Sequence, residues 1–337
     1  MKPRALLFLL ATFAACSSDP AWTWPPDDFA DQADVPFDPN TIIDSTASLT
    51  DPYSLPDVDS VQAFLAQTPY GGASFLASYA SNGVSAATAI VDASNDYQLN
   101  PLLFLVRAEM DDALISQTTY PSPASRVEYA FGCGCDEPPT PQNPTPRCDP
   151  TLAGFDKQVD CLARTMRGYL DDVCGAVQAT PGGWSTSATT TTLDGVAVTP
   201  QNEGTAALYQ YTPLVLLNQQ GGNWFFWNVY QFFANAVAYP GAFGDAWIGD
   251  PCCGDASCSG YDNGTCAVNV PDGMCTAACS ATVACPSTEG RNSVCASLSG
   301  QGFCLFDCSA DSCRTGYVCQ TVAIIGGGTG LACLPAN

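Results

Sequence analysis

The side chains here that can move protons are few in kind. Of 337 residues, 33 are Asp or Glu, 10 are Lys or Arg and none is His. Without imidazole there is no Ser-His-Asp or Cys-His nucleophile, no histidine-bearing zinc site and no histidine pH switch. Carboxylate chemistry remains, and one stretch gives it a setting. The run Leu102-Leu-Phe-Leu-Val106 is apolar on every face and passes into Arg107-Ala-Glu-Met-Asp-Asp112. A helix of that pattern runs through a core and delivers Glu109 and Asp111 at its end. Burial there raises a carboxyl pKa, which suits it to hand a proton to a leaving oxygen. No metal and no organic cofactor is implied.

Charge narrows the partners. The net charge is −23, and no Lys or Arg lies between Arg4 and Arg107. No basic patch is available to neutralise phosphates, so nucleic acid is excluded as a partner. The same charge disfavours anionic lipid headgroups beyond an anchor and gives no attraction to anionic wall polymers.

Nineteen cysteines without repeated Cys-x-x-Cys pairs read as disulfides in an oxidising compartment. The N-terminus supplies the route. Met1-Lys-Pro-Arg4 precedes the apolar run Ala5–Ala15, too short for a permanent span, so residues 1–15 read as a signal peptide. Phe13-Ala-Ala-Cys16 resembles a bacterial lipobox, which makes Cys16 the lipidated first residue; cleavage by an ordinary signal peptidase near Ala15 is the alternative. Residues 16–59 carry ten aspartates and seven prolines and no base, the composition of a disordered tether. Trp22 and Trp24 lie within it.

The elements that must position the carboxylates follow. An amphipathic helix begins at Val61, and Ser81-Asn-Gly83 punctuates the chain before a second with Val84, Ala87, Ile90 and Val91. Asn100-Pro101 starts the apolar helix, Asn as N-cap and Pro at its first position. A further helix spans 154–174, with Phe155, Val159, Leu162, Met166, Tyr169 and Val173 on one face and Gly175 as its stop. An aromatic block at 224–233 reads as core. Between them, 117–150 forms an irregular lobe, and Leu193-Asp-Gly-Val196 reads as a hairpin turn. The expected fold class is α+β, mostly helical over 60–240.

Beyond it the cysteines repeat. Cys253-Cys258-Cys266-Cys275, Cys279-Cys285-Cys295-Cys304 and Cys308-Cys313-Cys319-Cys333 make three four-cysteine modules within 252–334. Modules this small cannot bury a core, so bridges must hold them, in any of three pairings each. Cys252 is left with Cys133, Cys135, Cys148, Cys161 and Cys174. It is therefore expected to bridge the tail to the helical domain.

Asn100-Pro-Leu-Leu-Phe-Leu-Val-Arg107, the carboxylate at that helix end and the lobe after it resemble the lysozyme-like domains of peptidoglycan glucosaminidases (endo-β-N-acetylglucosaminidases) and lytic transglycosylases. Leu114-Ile-Ser116, Thr118-Thr-Tyr-Pro121, Arg126-Val-Glu-Tyr-Ala-Phe-Gly-Cys-Gly-Cys135, Leu208-Tyr-Gln-Tyr-Thr-Pro213, Gly222-Asn223 and Phe226-Trp227 extend the likeness over 60–240. The tail resembles repeats on bacterial surface proteins.

The resemblance implies a lysozyme-like fold whose acid is a Glu ten residues after the helix-starting Pro. In this chain that position is Asp111, with about 1.5 Å less reach. Glu109 lies two residues earlier, about 200° round the helix. Three readings stand: Asp111 is a shortened working acid, Glu109 serves through a shifted register, or the site is inactive. Glu128 and Asp136 are candidates for a second carboxylate in the lobe. Tyr209, Tyr211 and Asn223 are candidates for a sugar-binding cleft wall, Tyr211 alternatively being structural. Arg107 is expected to pair with Glu128 or Asp112, or to reach solvent. The implied function is cleavage of β-1,4 bonds in peptidoglycan glycan strands by a lipid-anchored cell-envelope protein. The alternative is a glycan-binding or scaffold protein without catalysis, its tail contacting a surface protein partner.

Overall fold

The computed structural model describes residues 37–51, 54–136, 147–175, 182–237, 247–252, 258, 261–271, 273–287, 292–310, 313–314 and 316–336. Residues 1–15, where a signal peptide is expected, and Cys16, Trp22, Trp24 and Cys253 lie outside them. Within them the chain is mixed helix and sheet, with eight α-helices, small antiparallel sheets and a disulfide-rich C-terminal region. Among the described residues no helix is long and apolar enough to cross a membrane.

The helices are α1 (Ala47–Thr50), α2 (Val58–Ala66), α3 (Ala86–Tyr97), α4 (Pro101–Asp112), α5 (Ser125–Glu128), α6 (Phe155–Gly175), α7 (Glu203–Tyr211) and α8 (Asn223–Ala236). One apolar core joins them. At its centre is α4, buried from Pro101 through Glu109, as its all-apolar sequence requires. It packs on α8, where Phe225, Phe226, Tyr230 and Phe233 turn inward. On α6 the buried face runs Phe155, Val159, Leu162, Met166, Leu170, Val173, while Tyr169 is only partly buried. Two short hairpins complete this body. Strands β1 (Ala80–Ser81) and β2 (Val84–Ser85) meet through Asn82 and Gly83, both at positive φ, the backbone a tight two-residue turn demands. Strands β3 (Thr190–Thr191) and β4 (Ala197–Val198) flank the turn expected at 193–196.

The tether expected through residue 59 is corrected: from Phe37 onward the chain belongs to the core. Ile42, Ile43, Ser48 and Leu49 are at most 1% exposed. The Ile42 N–H donates to Thr205 Oγ1, the Asn202 amide to the Ile43 carbonyl, and the Tyr209 hydroxyl to the Pro39 carbonyl. The Ser48 carbonyl accepts from both Asn100 Nδ2 and the Tyr230 hydroxyl, each at 2.9 Å. Averaging over an acidic, proline-rich stretch concealed three aliphatic anchors. Asn100 thus caps α4 through the Leu102 N–H while fastening this strap. Asn100→Ala should cost about 2 kcal/mol, the lost cap plus the lost bond to the Ser48 carbonyl, which keeps the Tyr230 hydroxyl; a lower urea midpoint reads it.

The irregular lobe is held by Cys133–Cys161 and Cys135–Cys148. Gln158, fully buried on α6, accepts from the Phe131 and Cys133 N–H groups and donates to the Cys133 and Leu152 carbonyls. Cys174 is also disulfide-bonded.

The C-terminal region has its own small apolar clusters. Strands β5 (Gly264–Cys266), β6 (Cys275–Cys279), β7 (Ser293–Leu298) and β8 (Gln301–Phe306) form a sheet of order β5-β6-β8-β7, and β9 (Tyr317–Ala323) pairs with β10 (Thr329–Pro335). In each module the third and fourth cysteines oppose one another across a hairpin: Cys266 with Cys275, Cys295 with Cys304, Cys319 with Cys333. Each then bonds backward, third to first and fourth to second. The bridges are Cys252–Cys266, Cys258–Cys275, Cys279–Cys295, Cys285–Cys304, Cys308–Cys319 and Cys313–Cys333. The expectation that Cys252 crosses to the helical domain is therefore corrected: Cys252, not Cys253, opens the first module. Vicinal cysteines are indistinguishable by spacing; it is the hydrogen bonding of Gly249 and Asp250 to Cys275 that lays Cys252 beside Cys266. Gly302 faces Cys279 in the ladder, where a Cβ would stand 2.2 Å from the Cys279 carbonyl oxygen, so no side chain fits. Non-reducing peptide mapping should recover these six tail linkages; a peptide joining Cys252 to Cys133, Cys135, Cys148, Cys161 or Cys174 would contradict the register.

Candidate functional site

The carboxylates gather where α4 ends. Ala113 takes φ 53°, the left-handed conformation usual for glycine at a helix stop, and turns the chain back on the helix. The Ala113 N–H donates to the Glu109 carbonyl and the Leu114 N–H to that of Ala108. This turn brings the Ile115 and Ser116 N–H groups onto Glu109 Oε2, both at 2.9 Å. Glu109 is fully buried, and its other oxygen, Oε1, has no hydrogen-bond partner. Burial pushes its carboxyl above the ordinary value, against the pull of the two N–H donors. The ionisable neighbour that bears on it is Tyr70, whose hydroxyl is also buried and unpaired.

Asp111 faces another way, as the helical offset requires. Both its oxygens lie against Arg107 Nη2, at 2.8 and 3.0 Å. The expectation that Arg107 pairs with Glu128 or Asp112, or reaches solvent, is corrected. Arg107 is 7% exposed, its partner is Asp111 one turn on, and its Cζ lies 4.4 Å from the Tyr211 ring centroid. Spacing of i, i+4 on one helix face makes that pair the local choice. Burial raises the Asp111 carboxyl while Arg107 draws it down. Asp112 lies beside Arg126, Nε to Oδ1 at 3.5 Å, and burial with the neighbouring Asp111 charge holds it well above the usual carboxylate range.

Glu128 is exposed at the end of α5, and its charge bears on the phenol of Tyr120. Tyr120, 45% exposed, makes a cluster with Tyr79 and Phe75, ring centroids 5.7–5.8 Å apart. That cluster is tied to the turn below Glu109: the Phe75 N–H donates to the Gln117 carbonyl and Ser74 Oγ to the Leu114 carbonyl. Asp136 is exposed in the lobe.

Two of the three cleft-wall candidates are core residues, which corrects that expectation. Tyr209 is fully buried, stacked on Trp184 at 4.6 Å, with its hydroxyl spent on Pro39. Asn223, 2% exposed, donates to the Thr212 carbonyl and starts α8. Tyr209 is covered by the strap through Pro39, and Asn223 by the segment after α7, through Thr212 and Leu214; neither cover is visible in the helix's own sequence. Tyr211 is partly buried under Arg107. What sequence reasoning passed over is Tyr70 and Tyr79; the Tyr70-Gly-Gly72 turn was the available signal for the first.

Three groups of cysteines lie close enough to hold an ion: Cys252 with Cys258 and Cys266, Cys279 with Cys285 and Cys304, and Cys308 with Cys313 and Cys319. Every one of these sulfurs is in a disulfide, so they are crosslinks. No family model, curated protein or solved structure matches the chain.

Proposed function

We propose that the helical body is a lysozyme-like domain that acts on the β-1,4 bonds of peptidoglycan amino sugars, with Glu109 as the proton donor. The observation that carries this reading is the state of Glu109. One carboxyl oxygen is fixed by two backbone donors, the other is unpaired, and burial favours the protonated form. Glycoside cleavage needs such a carboxylic acid beside the leaving oxygen. Asp111 is less suited, because protonating it would leave Arg107 buried without its counter-charge. In this reading Tyr120 and Tyr79 offer aromatic faces to sugar rings, and the exposed carboxylate of Glu128 hydrogen-bonds sugar hydroxyls or serves as the second carboxylate. Anchoring through a lipidated Cys16 would place the domain at the cell envelope. The disulfide modules would project from it toward a surface protein partner.

The test is incubation of the oxidised full chain with purified peptidoglycan. Soluble amino-sugar fragments are expected. Sedimentation of the protein with intact peptidoglycan and no fragments would replace the reading with glycan binding alone; neither release nor binding would overturn both.

A further inference from the structure

We propose that Tyr70 is the positioning residue of Glu109, its hydroxyl bonding the free carboxyl oxygen in either ionisation state and turning aside to admit a substrate oxygen. The inference rests on the reading of Glu109 as proton donor. Tyr70 Oη and Glu109 Oε1 are both buried without a hydrogen-bond partner, a costly state for either alone. The segment that carries Tyr70 is fastened to the turn that holds Glu109 by Ser74 Oγ on the Leu114 carbonyl, at 2.9 Å, next to the Ile115 and Ser116 N–H groups that bind Glu109 Oε2. A phenol suits the place because it both donates and accepts. Protonated Glu109 donates to the Tyr70 oxygen, and ionised Glu109 accepts from the Tyr70 O–H. A carboxyl that gives up a proton and later regains it passes through both states.

The turn that carries Tyr70 is held on its inner side and open on its outer side. Its ring leans on Phe232 and Phe233 of α8, with centroids 5.3 and 6.0 Å away. It is carried on a turn closed by the Gly71 N–H to the Thr68 carbonyl and the Thr68 N–H and Oγ1 to the Gly72 carbonyl. Gly71 has φ +89°, and neither glycine has an atom within 4 Å of where a Cβ would stand. The turn therefore borders open space on its outer side, while the hydroxyl end is enclosed.

The experiment is a carbon-13 NMR titration of the five glutamate carboxyls in the oxidised full chain, with Glu109 assigned by its disappearance in Glu109→Gln. Tyr70→Phe keeps the ring and removes the hydroxyl. It should move the Glu109 midpoint upward by about one pH unit, because of the two bonds lost the one to the charged carboxylate is the stronger. The other four midpoints should stay, and the basic limb of any rate profile should move with Glu109. An unchanged Glu109 midpoint in Tyr70→Phe overturns the proposal. The titration needs no substrate, so a shifted midpoint with peptidoglycan left intact would sustain the positioning role and defeat the catalytic reading alone.

Discussion

Glu109→Gln should reduce fragment release from peptidoglycan by about 10²–10⁴-fold, the usual contribution of a positioned general acid, while the helical body stays folded. The fold survives because a glutamine carbonyl can accept the same Ile115 and Ser116 N–H groups, and its amide can donate to the Tyr70 hydroxyl. Glu109→Ala is the harsher change. It leaves two buried N–H donors unpaired, at about 1–3 kcal/mol each, and should lower stability together with activity. The glutamine variant therefore separates chemistry from folding. Full activity in Glu109→Gln would remove Glu109 from the reaction.

The same substitution has a pH signature. Burial raises the folded carboxyl of Glu109 above its unfolded value of 4.5, so the folded state holds this proton more tightly. Its contribution is fully present below the unfolded value and is lost as pH rises through the folded one. Asp112, raised well above its ordinary value, contributes in the same direction. Urea midpoints taken between about pH 4 and pH 8 should fall with rising pH, and Glu109→Gln should flatten part of that slope. An identical slope in the two proteins would mean that Glu109 is not held protonated by the fold.

Asp111→Asn should cost about 3 kcal/mol of stability, because it strands the Arg107 guanidinium in a site where its side chain is only 8% exposed. The Tyr211 ring beneath it compensates in part, a cation–π contact being worth about 0.5–2 kcal/mol. Arg107→Met should be milder: Asp111, a quarter exposed, is left within reach of water and can take up a proton. Midpoints followed by the helical circular-dichroism signal give the comparison. The fraction of Asp111→Asn that remains folded should release glycan fragments at close to the unsubstituted rate. Loss of release with stability unchanged would instead make Asp111 the acid and α4's ion pair incidental.

The elements that local sequence governs were legible. Asn100-Pro101 followed by an unbroken apolar run specifies a capped, buried helix, because capping and all-round hydrophobicity act within a few residues of one another. The Asn82-Gly83 and Asp194-Gly195 turns were equally readable, as was the modular spacing of the tail cysteines. The ion pair of Arg107 was within reach too, since i, i+4 neighbours on a helix need no tertiary information.

Contacts between distant segments set the rest. Nothing near residues 37–51 announces that Ile42, Ile43 and Leu49 meet α7, α8 and the start of α4; an acidic segment reads as solvated until a surface exists to bury its few aliphatic side chains. The pairing of Cys252 follows from where the fold lays residues 249–252: the Gly249 N–H donates to the Cys275 carbonyl and the Cys275 N–H to the Asp250 carbonyl, which brings Cys252 to Cys266. The character of the two helix-end carboxyls also depends on what folds against them. Glu109 meets the returning turn and Tyr70, and Asp111 meets Arg107, so one is enclosed without a counter-charge and the other is neutralised. Composition and spacing settle which groups stand at the end of α4. The low-dielectric surroundings that raise the Glu109 carboxyl exist only once segments 40 residues apart have come together.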